Sequence, residues 1–237
     1  MLVGKSIPQQ LFINAMNERA NSKADQVYET LKQAILSGVL EPGAPIDKLE
    51  VCERLGVSRF PVSAAISRLA YDQLVRIEPQ HGSFVARISA RDVLERLLIR
   101  RALEGEISAE AARRMGDEGR AALADNLAEA AVIAEAGDHA RFYELDVAFH
   151  LLLTQYLDLS RSAELLDGLR EHLERARRLL MTPPGRMQTT LAEHRAVYDA
   201  IASDDPARAR AAMEAHLTGV ATMFADFSHE RPELFTD

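Results

Sequence analysis

The sequence has few of the residues that mark secreted, membrane-spanning or strand-rich proteins. It contains no tryptophan, and aromatic residues make up only 5% of its 237 positions. Alanine, leucine, arginine and glutamate are abundant, which favours helices. The single cysteine, Cys52, excludes an internal disulfide and fits a reducing compartment. Because the first twenty residues lack a signal peptide's apolar core and no apolar run reaches about 18 residues, we expect a cytoplasmic protein with no membrane partner.

The sequence also lacks the excess of positive charge that nucleic-acid-binding proteins usually carry. Its formal net charge is −8. Residues 1–88 contain ten Lys/Arg and nine Asp/Glu, whereas residues 89–237 contain eighteen and twenty-seven. Charge therefore gives little support for nucleic-acid binding, and that function has to rest on sequence motifs.

Residues 24–88 are predicted to form a winged helix-turn-helix domain. Apolar periodicity predicts three helices, at about residues 25–37, 47–55 and 59–71. Ser58 is placed to cap the third helix, and Gly56 lies in the tight turn before it. Two short β-prone runs predict a hairpin, at residues 74–77 and 84–86. Three helices followed by a hairpin are the parts of a winged helix-turn-helix.

Residues 89–228 are predicted to form an antiparallel bundle of six helices. Capping and stop signals place five of them at about residues 89–114, 118–136, 139–157, 161–181 and 206–227. The remaining helix is predicted to start at a capping box formed by Thr190 and Glu193. Residues 1–23 are predicted to be a flexible arm, and residues 229–237 a C-terminal tail. The predicted fold class is thus mainly α, with an N-terminal winged helix-turn-helix and a C-terminal six-helix bundle.

Four polar side chains fall on the apolar stripes of three predicted bundle helices, namely Asp146, His150, His194 and His216. The first two are four residues apart, so they lie one turn apart on a single helix face. Burying such groups is costly unless they are satisfied, and one divalent metal ion would satisfy all four. The alternative is that each histidine is a core residue bonded to a carbonyl and that the Asp-His pair is a local hydrogen bond. Spacing alone leaves both interpretations open.

Several segments resemble known bacterial transcription regulators. Three resemble the winged-helix domain of the GntR superfamily, at residues 36–43, 55–62 and 69–75. Four others resemble the all-helical effector domain (FCD type) of its FadR-like branch, at residues 137–142, 145–150, 193–195 and 215–217. The resemblance covers about residues 24–227 in the right order and spacing.

The resemblance implies a ligand site in the helical domain. It implies that a divalent metal is bound at four positions, Asp146, His150, His194 and His216. A set of nitrogen and oxygen ligands allows Zn²⁺, Ni²⁺ or Mn²⁺. The resemblance also places Arg100, four residues before Glu104, near a bound small carboxylate effector. The alternative for Arg100 is an ordinary ion pair with Glu104 one turn away.

For the DNA-binding half, the resemblance implies a homodimer on a palindromic double-stranded operator. The residues assigned to DNA binding are Ser58, Arg59, Ser63, Ser67, Arg68, His81 and Gly82. Two of them depart from the family pattern, because Ser63 and His81 stand where arginines are common. Arg59 is predicted to contact a guanine or a phosphate. Arg68 is predicted to contact the DNA backbone, with a solvated helix face as the alternative, so the operator sequence cannot be carried over.

The predicted function is therefore that of a ligand-responsive transcription regulator, a repressor of a catabolic or transport operon, and not an enzyme. The alternative is a metal-dependent hydrolase or lyase of helical fold, which would need a general base beside the metal. Glu193 adjoins His194, but consecutive helix residues point about 100° apart. We therefore expect Glu193 to face away from the metal, and the sequence contains no HExxH motif.

Overall fold

The computed structural model describes residues 22–180 and 185–236, without the side chains of residues 171, 172, 174 and 177–180. The chain divides into two compact units, one of residues 1–89 together with 231–237 and one of residues 90–230. The arm predicted for residues 1–23 lies outside the described residues as far as residue 21. No helix in the described part of the chain is both long and apolar enough to cross a membrane.

The first unit is a winged helix-turn-helix, as predicted. Its main elements are α1 (Lys23–Leu36), α2 (Lys48–Leu55), α3 (Arg59–Tyr71), β1 (Val75–Glu78) and β2 (Gly82–Val85). The two strands pair antiparallel, with Val75 opposite Val85 at one end and Glu78 opposite Gly82 at the other. The hairpin therefore follows the third helix directly and forms the wing.

Local backbone chemistry sets the turn between α2 and α3. The Asp47 carboxylate accepts hydrogen bonds from the backbone N–H groups of Leu49 and Glu50 and so caps α2. Gly56 ends α2 in the left-handed region, at φ 61°, where a residue with a Cβ would cost about 1–2 kcal/mol. The helix that follows buries one face in the core of the unit, through Pro61, Val62, Ala65, Ile66 and Leu69. Its opposite face is left exposed to solvent.

The second unit contains six helices within residues 90–180 and 185–230, which confirms the predicted bundle. They are α4 (Ala90–Arg114), α5 (Asp117–Ala136), α6 (His139–Gln155), α7 (Ser160–Leu180), α8 (Arg186–Ala202) and α9 (Pro206–Glu230). Helices α4 and α9 pack against each other along much of their length. A continuous apolar core includes Phe149 and Leu153 from α6, Val197 and Ile201 from α8, and Met213 from α9.

The start of α8 differs from the prediction. The helix begins at Arg186, after Gly185 in the left-handed region at φ 80°, rather than at the predicted capping box of Thr190 and Glu193. Thr190 lies inside the helix with none of its surface exposed. The capping-box pattern was therefore misleading, because a glycine in a turn had already started the helix four residues earlier.

The end of the chain also differs from the predicted C-terminal tail of residues 229–237. Helix α9 continues to Glu230, and a short 3-10 helix follows at Pro232–Leu234. Phe235–Thr236 (β4) then pairs in parallel with Ile88–Ser89 (β3). Leu234 and Phe235 are buried, so apolar side chains and strand pairing hold this segment in place within the first unit.

Candidate metal centre

Helix α6 supplies two of the four predicted ligands. Asp146 and His150 lie on its buried face, one turn apart, and are 3% and 1% exposed. Phe149, between them, stacks on the ring of His194 with the two planes 9° apart and the centroids separated by 4.1 Å. The apolar face of α6 therefore buries the two polar side chains and fixes the ring of a third.

Helices α8 and α9 bring the other two residues, His194 and His216, to the same place. One potential ligand atom from each of the four side chains lies within 4.8 Å of the corresponding atoms of the other three. The Nε2 atoms of His194 and His216 are 3.4 Å apart, and His194 Nε2 lies 3.6 Å from Asp146 Oδ1. The structure thus assembles the four residues, which lie on three helices, into one buried cluster that could hold a metal ion.

The donor atoms fit a divalent metal ion. Two ligands with bonds of about 2.1 Å to a tetrahedral ion lie about 3.4 Å apart, close to the spacings at His194. His150 is fully buried, and its Nε2 has no hydrogen-bond partner among the described residues. An unpaired buried polar atom costs about 1–3 kcal/mol. A bound cation would remove that cost, whereas the interpretation of each histidine as an ordinary core residue leaves His150 Nε2 without a partner.

Two glutamates orient the histidine rings from outside the cluster. His150 Nδ1 lies 2.5 Å from Glu104 Oε2, and His216 Nδ1 lies 2.8 Å from Glu193 Oε2. A ring that carries its proton on Nδ1, toward the carboxylate, presents the lone pair of Nε2 to the cluster. Burial lowers the pKa of His216 to about 4, so this imidazole is neutral near neutral pH, as a metal ligand must be.

Neither glutamate was assigned this role from the sequence. Glu193 is predicted to face away from the metal, and in the structure its carboxylate contacts Nδ1 of His216, the ring nitrogen that does not face His194. The sequence indicates Glu104 only as the ion-pair partner of Arg100, one turn away. A carboxylate one helical turn from a metal ligand can be recognised in the sequence. These two contacts join residues on different helices, so they depend on tertiary packing and the sequence spacing does not predict them.

Arg100 lies in the buried interior, at 1% exposure. Its Nε donates a 2.6 Å hydrogen bond to Glu104 Oε1, so the ion pair proposed as the alternative reading is present. Burial opposes ionisation of Glu104, but Arg100 and His150 together hold the pKa of that carboxyl well below its usual range. Nη2 of Arg100 has no hydrogen-bond partner among the described residues and therefore remains available to a ligand.

All residues assigned to DNA contact are exposed in the first unit. They lie at the start and on the outer face of α3 and at the tip of the wing: Ser58, Arg59, Ser63, Ser67, Arg68, His81 and Gly82. Arg68 has further contacts, because it pairs with Asp25 of α1 and its guanidinium lies 4.1 Å from the centroid of the Tyr28 ring. Arg68 therefore also ties α3 to α1. Sequence reasoning overlooked Phe60, which is 83% exposed on the same helix.

Two family models match the chain. The model for bacterial regulatory proteins of the gntR family matches residues 23–85, and the FCD domain model matches residues 95–219. The first match contains α3 and the wing. The second covers more than half of the chain and contains the whole His/Asp cluster.

Curated relatives and solved structures agree with these matches. The chain is 29% identical over 212 residues to the HTH-type transcriptional repressor RspR of Escherichia coli (strain K12), covering 90% of this chain and 93% of that protein. It is 32% identical over 220 residues to an HTH-type transcriptional regulator from an unstable DNA locus of Streptomyces ambofaciens, covering 92% and 91%. Escherichia coli McbR/YncC has the same fold, with a TM-score of 0.66 and 21% identity. The match covers 88% of this chain and 100% of that chain.

These relatives are transcriptional regulators, not enzymes, which confirms the prediction that this protein is not an enzyme and removes the hydrolase or lyase alternative. The two family models match in order along the chain, and the curated relatives align with almost its whole length. The chain belongs to the GntR family of bacterial regulatory proteins, as a DNA-binding transcription regulator with a C-terminal FCD domain.

Proposed function

We propose that this protein is a cytoplasmic homodimer that represses a catabolic or transport operon and responds to a small carboxylate bound beside a divalent metal. The observation that carries the proposal is the convergence of four buried ligand side chains, two of them oriented by carboxylates. The relative RspR is a transcriptional repressor, which supports repression as the sign of the regulation.

The residues of the cluster have distinct roles in this proposal. Asp146, His150, His194 and His216 would hold Zn²⁺, Ni²⁺ or Mn²⁺, and the bound ion would supply a positive charge that attracts an anionic oxygen ligand. One carboxylate and three neutral imidazoles leave that charge partly uncompensated. Arg100, with Nη2 unpaired among the described residues, would donate to the carboxylate of the effector. Glu104 and Glu193 would keep two imidazole rings in their binding orientation.

Thermal melting of metal-depleted protein tests this proposal. Adding Zn²⁺, Ni²⁺ or Mn²⁺ should raise the melting temperature, and adding a small carboxylate afterwards should raise it again. A ligand at 100 times its dissociation constant adds about 2.7 kcal/mol to the free energy of unfolding. If no metal raised the melting temperature, the assignment of the cluster as a metal site would be wrong. If a metal raised the melting temperature but no carboxylate raised it further, the assignment of a carboxylate effector would be wrong.

Arg59 is proposed to read the operator. It is exposed at the first position of α3, where recognition helices contact base edges. We expect Arg59→Ala to weaken binding to a DNA site selected by the wild-type protein by about 1–3 kcal/mol, with little change in binding to unrelated DNA. Arg68→Ala serves as the comparison, because loss of a backbone contact should weaken binding to all sequences alike. Unchanged binding of Arg59→Ala to the selected site would contradict the assignment.

A further inference from the structure

Two buried arginines in the second unit have guanidinium nitrogens without partners. Arg100 is 1% exposed and Arg170 is 7% exposed. Among the described residues, Nη2 of Arg100 and both Nε and Nη2 of Arg170 have no hydrogen-bond partner. Arg170 makes one hydrogen bond, from Nη1 to Asp167 at 2.9 Å, and the Asp167 side chain is itself 63% exposed. Buried charged donors are normally paired, so the three nitrogens that lack a partner among the described residues are available to an anionic ligand.

Both arginines belong to the neighbourhood of the His/Asp cluster. Arg100 lies on α4 and Arg170 on α7, and these helices pack against each other. Burial lowers the pKa of Arg170, and the strongest opposing influence is the carboxylate of Glu104, which also contacts Arg100 and His150. Arg170 is therefore close enough to interact with the carboxylate that orients one ring of the cluster.

The unpaired donors of this interior favour a ligand with two acceptor groups. Among the described residues, Nη2 of Arg100 has no hydrogen-bond partner, and neither do Nε and Nη2 of Arg170. The exposed Asp167 carboxylate accepts from only one nitrogen of Arg170. The single carboxylate of a monoacid can pair with one guanidinium, whereas a dicarboxylate can pair with both.

We propose that the effector is a short dicarboxylate, and that Arg170 selects it over monocarboxylates by donating to the second carboxylate. This inference rests on the proposed metal and carboxylate site. Arg100 and Arg170 provide donors on two different helices, as is needed to hold both ends of a short diacid. Planar guanidinium groups suit this purpose because they bind carboxylates with paired hydrogen bonds.

Calorimetric titration of zinc-loaded protein with matched acids tests the inference. The pairs are propionate and malonate, butyrate and succinate, and pentanoate and glutarate. At least one diacid should bind about 10- to 100-fold more tightly than its matched monoacid. Arg170→Met should reduce that preference to less than about threefold while zinc content stays the same. The melting temperature of Arg170→Met without acid should be unchanged or higher, because a buried charge with unpaired nitrogens is removed.

Arg175→Met is the matched control. Arg175 lies on the same helix and is also buried, and burial lowers its pKa to about 10. This variant should keep the diacid preference. Equal binding of monoacids and diacids to wild-type protein, or an unchanged preference in Arg170→Met, would overturn the inference and leave the carboxylate site standing. Failure of every acid to bind would overturn the proposed effector site itself.

A second observation concerns the DNA-reading helix. Phe60 lies in the first turn of α3 and is 83% exposed. Its neighbours on the outer face, Ser63 and Ser67, are short and polar. Apolar side chains in the major groove contact the 5-methyl group of thymine. We infer that Phe60 contacts the methyl group of a thymine base. The protein would then use an apolar base contact near the start of α3, where Ser63 replaces the arginine that is common in the family.

Selection from a random duplex library provides the DNA for the test. The selected site should contain thymine at a fixed position in each half-site. Replacing that thymine by uracil, which lacks the methyl group, should weaken wild-type binding about fourfold, whereas Phe60→Ala should bind both duplexes equally. Tyr71→Ala is the control, because Tyr71 is 89% exposed at the other end of α3, and it should still discriminate. The inference would be overturned if the selected site contained no fixed thymine, or if wild-type protein bound the thymine and uracil duplexes equally. It would also be overturned if Phe60→Ala still bound the thymine duplex more tightly.

Discussion

His194→Ala and His216→Ala should each reduce the metal content of the purified protein from about one divalent ion per chain to a small fraction of that. Each imidazole is buried, and the two Nε2 atoms face each other at 3.4 Å, so removing either leaves an incomplete ligand set. An ion bound at 100 to 1,000 times its dissociation constant stabilises the fold by about 3–4 kcal/mol. Its loss should lower the melting temperature by about 6–16 °C. Metal analysis and calorimetry with and without a chelator measure both quantities.

Two further variants make this test specific. His139→Ala removes an exposed histidine at the start of α6 and should leave metal content unchanged. Glu193→Gln keeps all four ligands but weakens the hydrogen bond that orients His216, and it should lower metal affinity by about 10- to 100-fold. Equal metal content in His194→Ala, His216→Ala and wild type would contradict the four-ligand assignment.

A carboxylate that binds the metal-loaded protein should change its affinity for operator DNA by about 5- to 150-fold. The reason lies in the chain connections between the two units. The chain enters the second unit at α4, directly after β3, and leaves it at the end of α9. Helix α4 carries Arg100 and Glu104, and α9 carries His216, so both connecting helices hold residues of the proposed ligand site.

DNA binding at fixed metal concentration, with and without the carboxylate, measures this effect. His194→Ala is the control, since it keeps the DNA-binding unit intact and should bind operator without responding to the acid. A wild-type protein whose DNA affinity did not change with any acid it binds would be a DNA-binding domain fused to an independent metal-binding bundle.

Much of this fold could be predicted because local signals agreed with tertiary packing. Gly56 and Pro61 mark the start of the DNA-reading helix within a few residues, and the structure places it at Arg59–Tyr71. Ser58 stands at the N-cap position, but its side chain makes no capping hydrogen bond there. The His/Asp cluster was visible because polar residues interrupted apolar stripes on three helices. A polar residue on a buried face requires a partner wherever it lies, so its sequence position alone raised the question of a ligand.

Other features depended on contacts between distant segments. Glu193 resembled a capping-box residue, yet it lies within α8 and contacts His216 on another helix. Residues 229–237 are predicted to be a C-terminal tail, but Phe235 pairs with Ile88, far away in the sequence. Arg170 was one of several arginines in α7, and only burial and the lack of partners among the described residues distinguish it. The spacing of residues along the chain does not predict such contacts between distant segments.

The most direct test of ligand-responsive regulation is reciprocity between the two binding reactions. The acid that gives the largest rise in melting temperature would be titrated into metal-loaded protein, once alone and once saturated with the selected operator duplex. If the two sites are coupled, operator DNA must change the affinity for the acid by the same factor by which the acid changes the affinity for DNA, about 5- to 150-fold. Identical acid affinities with and without the operator would contradict the proposal that this protein is a ligand-responsive regulator.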